Sequence, residues 1–102
     1  MDDFVQLGGN IELSGFRDID GASMVVLKKI IGNYARHISE NSNKFEKLSI
    51  VLKLIHESEA SKKFEVHVKL INDGKPLVSE VVERNIFVAV DNVLKNVERQ
   101  LS

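Results

Sequence analysis

Residues 64–83 read FEVHVKLINDGKPLVSEVVE. Phe64, Val66, Val68 and Leu70 alternate with Glu65, His67 and Lys69, the period-two pattern of a strand that buries one face and solvates the other. Asp73-Gly74 is the pair expected of a tight hairpin turn, so residues 76–83 form the returning strand. Pro76, the lone proline, lacks a backbone N–H and fits the start of an edge strand. A sheet with one apolar face needs covering on one side only, which predicts a two-layer domain.

Upstream, Leu48, Ile50, Leu52 and Leu54 alternate with Ser49, Val51, Lys53 and Ile55, a preceding strand joined through the loop ESEAS. The polar loop ENSNK separates it from a helix expected over about Ala22 to Ser39, with Asp20 as cap. In that helix Met24, Leu27, Ile31, Tyr34, Ala35 and Ile38 share a face, while Lys29, Asn33 and Arg36 lie elsewhere. Gly32 costs about 1 kcal/mol there relative to alanine, which predicts a close backbone approach. Asn10–Ser14 alternates as a first strand, Gly15, Asp18, Asp20 and Gly21 supply turn chemistry after it, and residues 1–9 are expected to be flexible.

Downstream, Asn85 caps a final helix. Ile86, Val90, Val93, Val97 and Leu101 form its apolar stripe, widened by Leu94 and Phe87; Val88, Asn92, Lys95 and Arg99 occupy the opposite side. The expected fold is therefore α+β, in the order β-α-β-β-β-α, a four-stranded sheet with both helices on one face. It spans residues 1–102 as a single domain.

Composition narrows the function. At 102 residues the chain buries roughly 65% of its unfolded surface, enough for one core. A 43% hydrophobic and 28% charged composition is that of a globular protein, and no apolar run approaches membrane-spanning length. There is no cysteine, hence no disulfide framework or thiolate site, and residues 1–9 lack signal-peptide character, so a cytoplasmic location is expected. Fourteen Lys and Arg against fifteen Asp and Glu give a net charge of −1, so nucleic-acid binding must come from local clusters. His37, His56 and His67 are dispersed, without the helical spacing or clustered carboxylates of a metal site. The pairs Glu57/Glu59 and Glu80/Glu83 read as solvated, and neither a nucleophile elbow nor a phosphate loop is present. The expectation is no enzyme, no cofactor, no metal, no membrane and no small-molecule substrate. Lys28-Lys29 and Lys62-Lys63 matter only if they converge with other cations. Arg84 precedes a helix N-terminus whose N–H groups favour an anion. Lys95 is offset by Asp91 one turn earlier, a pair worth about 0.2–0.5 kcal/mol.

From about Asn10 to Leu101 the element order and closing segment resemble the ribosome hibernation-promoting factor and ribosome-associated translation inhibitor family. The final helix of that family opens with a motif resembling D-x-Y-A-A-I-D, which here reads NIFVAVD: Asn85 stands at the capping acid, Phe87 at the aromatic, Ala89 and Val90 at the apolar pair, Asp91 at the closing acid. LKNVERQL is similar to the family's apolar helix with interspersed cations, and GFRDIDGAS…LKKIIGNYARHI to its first strand-to-helix passage. Val88 replaces a small residue and Asn85 an acid. The resemblance implies a stress-linked inhibitor that occupies the decoding region of the small ribosomal subunit in place of mRNA and tRNA. It implies rRNA contacts from Lys28, Lys29 and Arg36 on the first helix and from Arg84, Lys95 and Arg99 around the last. It also implies the short form, without the dimerising domain of longer members.

Two rivals share the pattern. A double-stranded-RNA-binding domain has the same order after the first strand, but RNIFVAV lacks the compact lysine cluster expected at the start of its last helix. A protein-interaction module or homodimer would use the open sheet face, where Val51 and Ile55 lie, or pair along PLVSEVVE.

Overall fold

The structure, a computed structural model, describes residues 5–6, 10–58 and 61–101, with side chains for 10–55 and 62–101. The elements are β1 (Val5–Gln6), β2 (Ile11–Ser14), α1 (Gly21–Asn41), β3 (Phe45–Ser58), β4 (Ser61–Asn72), β5 (Lys75–Glu83) and α2 (Ile86–Arg99). The sheet runs β1-β2-β3-β4-β5, with β2 parallel to β3 and every other pair antiparallel. β2 to β5 form the expected four-stranded sheet, and the two helices give the α+β order β-α-β-β-β-α.

Register places the apolar side chains in rows. Leu48, Ile50 and Leu52 of β3 stand opposite Leu70, Val68 and Val66 of β4, and Leu13 of β2 stands opposite Ile50. All seven are buried, together with Leu27, Ile31, Ala35 and Ile38 of α1 and Ile86, Ala89, Val90, Val93, Leu94 and Val97 of α2. Among the described residues no polar or charged side chain is buried, so the core holds by apolar burial alone. α2 lies across β4 and β5, and α1 packs beside α2 and over β3.

The turn and caps follow their local chemistry. Asp73 and Gly74 both take positive φ, 53° and 76°, the geometry whose twist matches a two-residue hairpin. Asp20 Oδ2 accepts from Ser23 N at 2.9 Å, which holds this exposed carboxyl below its usual range. Asn85 Oδ1 accepts from Phe87 N and Val88 N at 2.8 and 3.2 Å. Pro76 sits near the start of the edge strand β5, as expected.

Several expectations change. Val5 and Gln6 pair with Leu13 and Glu12, adding a short strand within the segment read as flexible; the remainder of residues 1–9 lies outside the described residues. Leu54 is 44% exposed although it continues the buried row, because β3 runs on past the cover of the helices. His56, Glu57 and Glu59 lie outside the described side chains. Gly32 makes no close approach: a Cβ there meets nothing within 4 Å, and the residue is exposed. The tight glycine is Gly15, at φ +87°, where a Cβ would collide with the carbonyl oxygen of Leu52. β2 can therefore turn into α1 against β3 only without a side chain at this position.

These two glycines give opposite expectations in urea unfolding. Gly15→Ala should destabilise by about 3 kcal/mol or more, combining positive-φ strain with a backbone collision. Gly32→Ala should stabilise by about 0.5–1 kcal/mol, since it only removes backbone freedom from an exposed helix interior.

Candidate nucleic-acid interface

The buried residues of each helix fix the direction of its cations. Successive residues turn by about 100°, so with Leu27, Ile31, Ala35 and Ile38 facing the core, Lys29 and Arg36 fall on the far side of α1. With Ile86, Val90, Val93 and Val97 inward, Lys95 and Arg99 fall on the far side of α2. These four lie on the outer surface of the helical layer, which they share with Asn33 and Glu40 of α1 and Val88 of α2. Lys28 is exposed but turned toward the flank away from α2, and Arg84 stands roughly 20 Å from Arg99 along the α2 axis. The six cations named from the sequence are thus not one cluster.

Between the helices runs an acidic seam. The Tyr34 hydroxyl donates to Asp91 Oδ1 at 2.9 Å, and His37 Nδ1 lies 3.7 Å from Glu98 Oε2. Both pairs ascend the two helices together, so α1 and α2 run in the same general direction. Lys95 Nζ is 3.6 Å from Asp91 Oδ2, the one-turn pair expected from spacing. Among the described residues Lys28, Lys29, Arg36, Arg84 and Arg99 form no ion pair. Arg99 shares with His37, Asn41, Glu98 and Leu101 an open hollow of about 420 Å³ at the C-terminal ends of the helices.

Tyr34 was legible as a core-facing residue, but its partner was not. A half-buried tyrosine needs an acceptor for its hydroxyl, and spacing ties Asp91 to Lys95 and to the closing position of NIFVAVD, neither of which points to Tyr34. Burial, then the bond to Asp91, raise the Tyr34 pKa to about 12.

The open face of the sheet has a different character. His67 stands between two carboxylates, Nε2 at 2.6 Å from Glu65 Oε2 and Nδ1 at 3.1 Å from Glu80 Oε2. Its contact holds the Glu65 carboxyl below the usual range. Lys47 Nζ lies 2.6 Å from Glu12 Oε2. Val51 and Ile55 are half-buried, whereas the more exposed apolar residues of this face are Val78 and Val82 on β5. Among the described residues no group of three metal-ligating side chains is assembled, and no helix is long and apolar enough to cross a membrane. Compared with known proteins, the chain matches no protein-family model and no curated protein sequence.

Tyr34→Phe should cost about 1.5–3 kcal/mol of stability at neutral pH, the worth of a hydrogen bond to a carboxylate. The raised pKa of the folded state sets the sign with pH. The contribution is complete below the ordinary value of 10.0 and falls away as pH rises toward about 12. Unfolding midpoints measured across that window should converge for wild type and Tyr34→Phe.

Proposed function

We propose that this chain is a noncatalytic ribosome-binding protein that occupies the decoding region of the small subunit and inhibits translation by excluding mRNA and tRNA. The observation that carries the reading is the helical layer, which holds Lys29, Arg36, Lys95 and Arg99 outward on two helices braced by a wholly apolar core. Cations on rigid elements can meet RNA phosphates with little ordering cost, and shape rather than base sequence then sets the docked position. The resemblance of NIFVAVD and LKNVERQL to hibernation factors supplies the identity of the RNA. Net charge of −1 fits docking in a shaped groove and argues against indiscriminate coating of nucleic acid. Inhibition by occupancy needs no chemistry from the protein. A cytoplasmic setting and a role in stress follow from the same reading.

Arg84 and Lys28 are peripheral in this proposal, because neither shares the surface of the four. The acidic seam has a positive role: Asp91 and Glu98 discourage phosphate from lying between the helices and leave the outer cations to set the register.

Purified protein should co-sediment with matched small subunits at moderate salt. About four phosphate contacts predict a loss of roughly a hundredfold in affinity between 50 and 200 mM salt. The Lys95→Glu/Arg99→Glu double variant should abolish pelleting while keeping its fold by circular dichroism. Equal retention of generic duplex RNA by wild type would identify a duplex-binding domain instead, and an absence of subunit association would reject the proposal.

A further inference from the structure

The free edge of β5 is a second surface, and its geometry follows from the turn before it. In a two-residue hairpin the flanking residues, here Asn72 and Lys75, form a hydrogen-bonded pair, and bonded and non-bonded pairs then alternate along the ladder. Leu77, Ser79, Val81 and Glu83 therefore direct their backbone groups at β4. Pro76, Val78, Glu80 and Val82 direct theirs outward.

Two positions of that outward row are blocked in part. Pro76 has no N–H to offer, and the side chain of Gln100, reaching from the end of α2, donates from Nε2 to the Val78 carbonyl at 2.8 Å. Among the described residues nothing bonds the outward N–H and C=O groups of Glu80 and Val82. Their side chains lie on the open face of the sheet, where Val82 is 49% exposed, and Arg84 stands at the bend just past the end of the strand, lining the same groove as Val82. The free stretch thus presents Glu80, Val82 and Arg84 in sequence. That groove, which Val88 of α2 also lines, is open and holds about 480 Å³ at this edge.

An acid, an apolar residue and a base at alternate positions are complementary to their own antiparallel image. We propose that this edge pairs with the same edge of a second copy of the chain, Val82 against Val82 on the two-fold axis and Glu80 of each copy against Arg84 of the other. The pairing continues the sheet across two molecules and covers the exposed Val82 and Val88. Glu80 keeps its own His67 on the side away from the partner. Other registers fit worse: centring the axis on Glu80 sets the two glutamates against each other. Gln100 ends the ladder at Val78, so the interface is short and the dimer weak and concentration-dependent. The interface does not rest on the ribosome reading, because it leaves Lys29, Arg36, Lys95 and Arg99 uncovered.

The test uses cross-linking and sedimentation equilibrium on the full chain. The chain contains no cysteine, so a single introduced thiol reports one contact. Directly opposed residues of a bonded antiparallel pair have Cα atoms about 5.5 Å apart, within disulfide reach. Val82→Cys should form a covalent dimer under mild oxidation at least roughly tenfold faster than Val78→Cys, which the proposed register separates from its own image. Glu80→Arg and Arg84→Glu should each remove the concentration-dependent dimer, and the Glu80→Arg/Arg84→Glu exchange should restore it. The thiol pair keeps the test decisive if a charge-reversed variant folds poorly. Wild type that stays monomeric up to roughly millimolar concentration, the range a small interface requires, would overturn the proposal. So would equal cross-linking at Val78 and Val82, or an exchange that fails to recover the dimer.

Discussion

Leu48, Ile50 and Leu52 lie directly against Leu70, Val68 and Val66, and this row of cross-strand contacts carries the rest of the molecule. Period-two alternation puts every one of these side chains on the same face of the sheet. Both helices must then gather on that face to bury them, which sets α1 and α2 side by side. Their contact line, where Tyr34 meets Asp91 and His37 meets Glu98, is a by-product of the crowding. A sheet with two apolar faces would have split the helices between them, and neither the seam nor a continuous helical surface would exist.

The charge pattern follows the same logic. Asp91 and Glu98 lie where the helices meet while Lys29, Arg36, Lys95 and Arg99 face solvent, so a nearly neutral chain still carries four outward cations on its helical layer, with Glu40 the acid among them on α1. Asp91 shows how finely this is divided: one oxygen receives the Tyr34 hydroxyl across the seam and the other faces Lys95 one turn along. Lys95 is consequently the least free of the outward cations, whereas Lys29, Arg36 and Arg99 have no acidic partner among the described residues.

Most of the fold could be read from alternation and caps because these are local signals. Phe64 to Leu70 showed the strand, Asp73-Gly74 its turn, and Asp20 and Asn85 the two helix starts. What stayed hidden depends on partners distant in sequence. Gly15 looked like one turn residue among several, and only the carbonyl of Leu52 against it shows why a side chain is excluded. Gly32 had the stronger local argument and the weaker tertiary reason. Among the six cations, helical phase was legible from spacing, but the separation of Arg84 and Lys28 from the others needed the packed helices. Gln100 carried no signal at all, since its acceptor, the Val78 carbonyl, belongs to a backbone 22 residues away.

The parallel pairing of β2 with β3 has a kinetic consequence. β4 and β5 are joined by two turn residues, so the β3-β4-β5 meander can zip by short loop closures. β2 reaches its place, Ile11 beside Leu48, only after the whole of α1 has been spanned. Closing that long crossover brings just four residue pairs of ladder in return. Amide protons of β2 should therefore exchange through openings that leave the meander intact, making the side of the sheet farthest from β5 the first part of the molecule to come apart.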